Sequence, residues 1–206
     1  MKMEIKDNKT AVPLAHYKNL YKALDPNAAA ARCAIRFDSE KSCFTFHHLG
    51  QEVNVCFPDF RAVGADSGLP LCEGAQILLI RYILEGAGGL GSGKFLSYSE
   101  MPWGAVYLSN FKGRCLARLA FGFGFDLGRF GRACTALGAT PALDGDASFD
   151  IEFIDGFTLR VIIWAPDDEF PPSSQILFSD NFPLAFSAED MAVVGDVLIN
   201  AMKRVG

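Results

Sequence analysis

Hydrophobic and polar positions change period several times along this chain, and each change marks an element. Leu14, Tyr17, Tyr21 and Leu24 recur three and four residues apart, the spacing that lines one face of a helix. "LDPNAAAARC" stops that helix and starts another. Asp25 can accept from the first free N–H groups, Pro26 suits the first helical position, and the alanines favour helix. The period then drops to two. In "CFTFHHLGQEVNVCF", Phe44 and Phe46 alternate with polar neighbours, as do Val53 and Val55, which predicts two antiparallel strands joined at Gly50.

"EGAQILLIRYILEGAGG" is apolar almost all round from Ile77 to Leu84, so periodicity alone leaves helix and strand open. Length decides for helix, because Glu73 to Glu85 makes about three and a half turns. Arg81 and Glu85 then share its polar side, and Gly86 caps its end. "FLSYSEMPWGAVY" alternates like a strand. From Ala105 a helical face follows, marked by Leu108, Phe111, Cys115 and Leu119, with Lys112, Arg114 and Arg118 off the stripe. Asp126 can cap a further helix whose stripe is Leu127, Phe130, Cys134 and Leu137, ended by Gly138.

"FDIEFIDGFTLRVIIW" reads as a hairpin. A two-residue Asp-Gly loop would pair Glu152 with Leu159 and mix the faces. A three-residue loop, Ile154-Asp155-Gly156, pairs Ile151 with Leu159 and Asp150 with Arg160, which puts every apolar side chain on one face. Gly156 is expected to be left-handed. In the last segment Ser187 and Asp190 form a capping box, Met191, Val194, Leu198 and Met202 line one face, and Lys203 and Arg204 sit where the helix dipole favours cations. Helices and strands come in clusters rather than strict alternation. The expected fold class is α+β, with antiparallel strands and hairpins packed against several helices in a single domain over 1–206, residues 1–10 being a disordered lead-in.

Composition agrees. Half of the 206 residues are hydrophobic and 18 are Phe, enough for a sizeable core. A net charge of -5 argues against non-specific nucleic-acid binding. No apolar run approaches the ~20 residues of a membrane helix, and no secretory signal follows "MKMEIKDNKT", so no membrane association and a cytoplasmic location are expected. The six cysteines contain no C-x-x-C, so no local zinc or iron–sulfur cradle exists and free thiols are expected.

"EGAGGLGSGKF" satisfies both the dinucleotide pattern (Gly86, Gly88, Gly91) and the triphosphate pattern (Gly88, Gly93, Lys94). Both motifs need a strand before the loop and a helix after it, whose N-terminal amides hold the phosphate. Here a helix precedes and an extended segment follows. Phe95 also stands where a magnesium-binding Ser or Thr is needed. A helix cap running into a turn explains the glycines, and no cofactor is assigned. "LDGDASFDIEFID" offers Asp144, Asp146, Ser148 and Asp155 at calcium-loop offsets, but Phe149 occupies the position that needs glycine. His47 and His48 are adjacent on a strand and so point to opposite faces. No G-x-S-x-G elbow supports a hydrolase serine.

"WAPDDEFPP", Trp164 to Pro172, is the main candidate for chemistry: three consecutive acids at a strand end, flanked by aromatics and stiffened by prolines. Such carboxylates could bind a hard cation, together with Asp180, or share a proton and act as an acid. The plain alternative is a solvated acidic turn. Residues 111–132 carry Lys112, Arg114, Arg118, Arg129 and Arg132 against Asp126 alone, while 144–190 carry eleven acids against Arg160 alone. Either the two regions face each other, or the basic helices receive an anionic ligand or partner, or both are solvated faces.

"WAPDDEFP" followed by "ILF" at 176–178 and an acid-bearing last helix resembles the C-terminal signature of an uncharacterised domain-of-unknown-function family of anaerobic bacteria and archaea. "ILLIRYILEGAGG" followed by "GKFLSYSEMPWGAVY" resembles that family's middle section, and the similarity spans roughly residues 30–200. Some members of the family join this domain to an iron–sulfur module, and some stand beside corrinoid or one-carbon proteins. This chain lacks the cysteine module, so no cluster is implied. The resemblance carries no established activity. It implies that a functional surface would comprise Trp164, Asp167, Asp168, Glu169 and Phe170. The expected role is non-catalytic binding of a partner protein or small ligand, linked to anaerobic redox or one-carbon metabolism. The alternative is a small-molecule enzyme using Asp167, Asp168 and Glu169, with or without a divalent metal.

Overall fold

Two helices open the chain as their patterning requires. A computed structural model describes residues 11–206; the expected disordered lead-in, 1–10, lies outside the described residues. Helix α1 spans Ala11–Lys22 and α2 spans Pro26–Cys33. Asp25 caps α2, its carboxylate accepting from the N–H groups of Asn27 and Ala28. Strands β1 (Arg36–Asp38), β2 (Cys43–His48), β3 (Gln51–Cys56) and β4 (Arg61–Gly64) follow as an antiparallel meander. Helix α3 is Glu73–Glu85, with Arg81 and Glu85 paired at 3.9 Å. Gly86 caps it in an extended rather than a left-handed conformation.

Residue contacts divide the chain into two compact units. The first comprises residues 11–46 and 52–88. Its core gathers Tyr21 against Phe57 and Phe60, with Phe37 on Phe44 and Leu78, Leu79 and Ile83 buried from α3. The second comprises residues 47–51 and 89–206.

The second unit begins its sheet with β5, Phe95–Ser97. The expected longer strand stops there. Glu100 accepts from both the N–H and the Oγ of Ser97 at 2.7 Å, which folds Tyr98–Glu100 into a 3-10 turn. Helix α4 then runs from Gly104 to Phe111. Lys112–Ala117 continues as a π-helical stretch into α5, Arg118–Phe123. Such stretches open the i→i−4 ladder by one residue. Phe111, Cys115 and Leu119 are all buried across it, as their spacing predicts. Helix α6 (Leu127–Ala136) is capped by Asp126 through the Arg129 N–H.

The short β6 (Thr140–Pro141), β7 (Ala147–Ile154), β8 (Phe157–Trp164) and β9 (Ser173–Ser179) complete the sheet. The hairpin register is the expected one, Ile151 opposite Leu159 and Asp150 opposite Arg160. The turn differs in detail. Ile154 pairs with Phe157, so the loop is Asp155-Gly156 and the extra residue is taken up by a bulge between Glu152 and Ile154. Gly156 is left-handed, φ 81°. Helix α7 (Ala188–Val205) starts at the Ser187–Asp190 capping box and buries Met191, Val194, Leu198 and Met202. Aromatics fill the space between sheet and helices: Tyr98 stacks on Phe111 at 4.0 Å, Phe182 meets Phe178 edge-on at 5.0 Å, and Phe130 meets Phe149 edge-on at 5.5 Å. Each such side chain stabilises the fold by roughly 1.5–3 kcal/mol on burial. The strand pairings are antiparallel and the helices are grouped rather than alternating, so the fold is α+β.

Among the described residues, Arg114 and Arg118 form their ion pairs with α7 rather than with the acidic stretch 144–190. Arg114 and Arg118 both bond the carboxylate of Asp196 on α7, and Arg118 also reaches Asn200 Oδ1 at 2.8 Å. His48 pairs with Ile154 and is 3% exposed. Its Nδ1 lies 2.8 Å from the Phe153 carbonyl, which can only accept, so Nδ1 carries the proton. Burial lowers its pKa to about 4, against the opposing pull of that carbonyl.

Two outcomes follow from these contacts. The unfolded chain binds the His48 proton more readily than the folded one, so stability is full above pH ~6.5 and falls as pH drops toward ~4, by a total on the order of 3 kcal/mol. Urea titrations between pH 7 and 4.5 will show this loss in the wild type and a clearly smaller one in His48→Gln; equal losses would contradict it. Asp196→Ala will destabilise by about 1–2 kcal/mol in chemical denaturation, a modest figure because both arginines are partly solvated, and the difference will shrink as salt rises.

Candidate functional site

The "WAPDDEFPP" segment leaves the sheet where β8 ends. Trp164 still pairs with Ser173 of β9, so its backbone is fixed while the residue is 38% exposed. Asp146 accepts from the Ala165 N–H at 2.8 Å, which ties down the next residue. Asp167 then closes a turn on itself. Its Oδ1 accepts from the N–H groups of Glu169 and Phe170 at 2.9 and 2.7 Å, and the Asp167 N–H donates to the Phe170 carbonyl. These amide donors, that of Glu169 first, hold the Asp167 carboxyl below the usual carboxylate range.

Phe170 is carried outward by this turn and is 66% exposed. Pro172 is buried again, because it packs on Gly124 at the end of α5: a Cβ added to Gly124 would fall 2.4 Å from the Pro172 Cβ. Glycine is therefore required there to let the proline dock. On either side of it Phe121 and Phe125 are 60% and 68% exposed, their rings 6.4 Å apart. The structure thus has Asp167 to Phe170 on one short, tied turn and Trp164 at the end of the strand before it, while Phe121 and Phe125, which sequence periodicity does not mark, flank the glycine on which Pro172 docks. Asp168 and Glu169 are exposed.

Asp180 is committed elsewhere. It accepts from the N–H and Oγ of Ser92 at 2.9 and 2.5 Å, and those bonds, the hydroxyl first, lower its pKa. Among the described residues no group of three or more His, Cys, Asp or Glu is arranged to hold a metal ion. The calcium-loop residues are dispersed in the same way: Asp144 pairs with Arg160, Asp146 serves Ala165, Ser148 is buried, and Asp155 meets the exposed His47 at 3.1 Å. All six cysteines are free thiols.

The glycine stretch has the order that excludes a nucleotide loop. Helix α3 enters it and β5 leaves it, and no helix opens at Lys94. Its glycines serve close approach instead. A Cβ at Gly91 would lie 2.9 Å from Asp180 Oδ1, obstructing the bonds to Ser92. Asn181, 4% exposed, donates from Nδ2 to the carbonyls of Gly89 and Gly156 at 2.7 and 2.8 Å. Asp180 and Asn181 together pin the loop, a role with no signature short of the three-dimensional contacts.

No helix among the described residues is long and apolar enough to cross a membrane. No curated protein and no solved structure matches the chain. One family model does, over residues 25–201, which takes in both glycine stretch and acidic–aromatic turn. With a match of that extent, the chain belongs to the family described as Domain of unknown function (DUF3786).

Proposed function

We propose that this protein is a non-catalytic binding domain whose acidic–aromatic turn docks a partner protein. The contact surface comprises Trp164, Asp167, Asp168, Glu169 and Phe170, extended by Phe121 and Phe125. The observation that carries the reading is the tied turn itself: Asp167 uses its own carboxylate to fix the backbone that carries Phe170 into water, in the segment that leaves the strand at the exposed Trp164. Exposed aromatics on a rigid frame lose little entropy on binding, and such side chains dominate the energy of protein contacts. The neighbouring carboxylates of Asp168 and Glu169 favour a partner segment that carries Lys or Arg beside an apolar side chain. The backbone amides that bond Asp167 Oδ1 also weigh against the enzymatic alternative, because they make that carboxylate a weaker base. As part of the same proposal we link this binding role to anaerobic redox or one-carbon metabolism, as the family resemblance implies.

The test is quantitative capture from native lysate with the wild type and with a Trp164→Ser/Phe170→Ser double variant. Both positions are exposed, so circular dichroism will show the variant folded. A saturable partner whose retention falls at least about tenfold in the variant, and falls as salt rises, is expected. Absence of a saturable partner, or equal retention by the variant, would overturn the reading.

A further inference from the structure

A second concave surface lies on the polar side of the β7–β8–β9 sheet. Pairing register sets its floor: Thr140 stands opposite Asp150, Asp150 opposite Arg160, and Phe95 opposite Ser179. The glycine loop forms one wall through Gly91, Gly93 and Lys94, and the whole encloses a cleft of about 370 Å³. That volume lies within the range of small-molecule sites, roughly 300–1,000 Å³.

Side-chain bonds fix both the wall and the floor of the cleft. Asp180 and Asn181 anchor the loop at Ser92 and Gly89, so it does not fold onto the sheet. Arg160 grips both oxygens of Asp150 at 2.7 and 2.8 Å and lies 4.3 Å over the Phe95 ring, which fixes the floor.

What remains unspent is informative. Lys94 is exposed and forms no salt bridge among the described residues. The N–H groups of Gly93 and Lys94 donate to no backbone carbonyl among the described residues. The hydroxyls of Thr140 and Thr158 likewise have no partner among the described residues. The carboxylate of Asp150 is consumed by Arg160, and Ser179 Oγ is consumed by Asn181 and the Thr158 N–H. The open groups are therefore one cation, two amide donors and two hydroxyls, a set that wants oxygen acceptors.

The charge balance narrows the class. Lys94 is the one ammonium among the lining residues, and the Asp180 carboxylate acts on it from nearby. One cation balances one negative charge, so a phosphate monoester, at about −1.5 to −2, would keep surplus charge against Asp180. A singly charged carboxylate leaves no such surplus, and hydroxyl groups on the same molecule match Thr140 and Thr158.

We infer that this cleft binds a small hydroxylated monocarboxylate. Lys94 takes the carboxylate and the threonines take the hydroxyls, at a site separate from the partner-docking turn.

Isothermal titration with sodium lactate, sodium gluconate, glycerol and inorganic phosphate tests it on the full chain. Saturable binding of at least one of the two carboxylates is expected, stronger than of glycerol or phosphate. Loss of a charge-assisted bond in Lys94→Met should weaken it at least about tenfold. Thr158→Val should weaken it by a smaller factor, and the Trp164→Ser/Phe170→Ser protein should bind as the wild type does. Lys94 is exposed, so its variant keeps the fold. No saturable binding of either carboxylate, tighter binding of phosphate, or unchanged affinity in Lys94→Met would overturn the inference.

Discussion

The register between β7 and β8 is the constraint on which the second unit depends. Side chains on a strand alternate between faces, so a slip of one residue would exchange the two sets completely. With Ile151 opposite Leu159, the residues Phe153, Leu159, Val161 and Ile163 all enter the core, where α5 and α6 cover them. The same pairing sends Asp150, Thr158 and Arg160 to the polar side. Core and cleft are two consequences of one alignment. The bulge before Ile154 lets that alignment close through a short Asp-Gly turn without altering it.

Much of this was legible along the chain, and the reason is physical. Burial of one face imposes a period, and the period can be read: the α3 boundaries, the α7 capping box and the hairpin register all follow from it. Polar contacts between distant segments impose none. Asp196 serves two arginines some eighty positions away, and Asn181 reaches back to Gly89. Neither can be inferred from spacing, which is why charge patterning alone leaves the role of the basic helices open among three alternatives. The strand after Lys94 was read too long for a related reason. Glu100 turns the chain through a local side-chain bond that competes with the extended form, and alternation of residue types does not register such competition. The acidic–aromatic turn was legible as a place, but the division of labour within it was not: three adjacent acids look equivalent until Asp167 is seen closing the backbone.

The two surfaces of this unit are built on different principles. At the turn, polar groups are spent internally so that aromatic rings can stand in water. In the cleft, the floor is tied by Arg160 and Asp150 while Lys94, Thr140 and Thr158 keep their polar ends without a protein partner among the described residues. The first arrangement favours a large apolar contact with modest geometric demand, the second a small ligand with defined acceptor positions. Asp180 separates them in chemical terms. A carboxylate that looked like a companion to Asp167 and Asp168 is instead a strut of the glycine loop.

The π-helical stretch at Lys112–Ala117 gives the helical layer a slack of one residue. It holds one residue more than a regular α-helical path between the same ends would need. On a regular helix Phe111 and Leu119, eight positions apart, would be offset by about 80°; the wider turn lets both stay buried with Cys115 between them. Deleting a single residue there would join α4 and α5 into one regular helix and leave Leu119, Phe123 and Arg118 on the faces they already occupy. The extra residue is absorbed where it stands, and the docking of the layer does not depend on it.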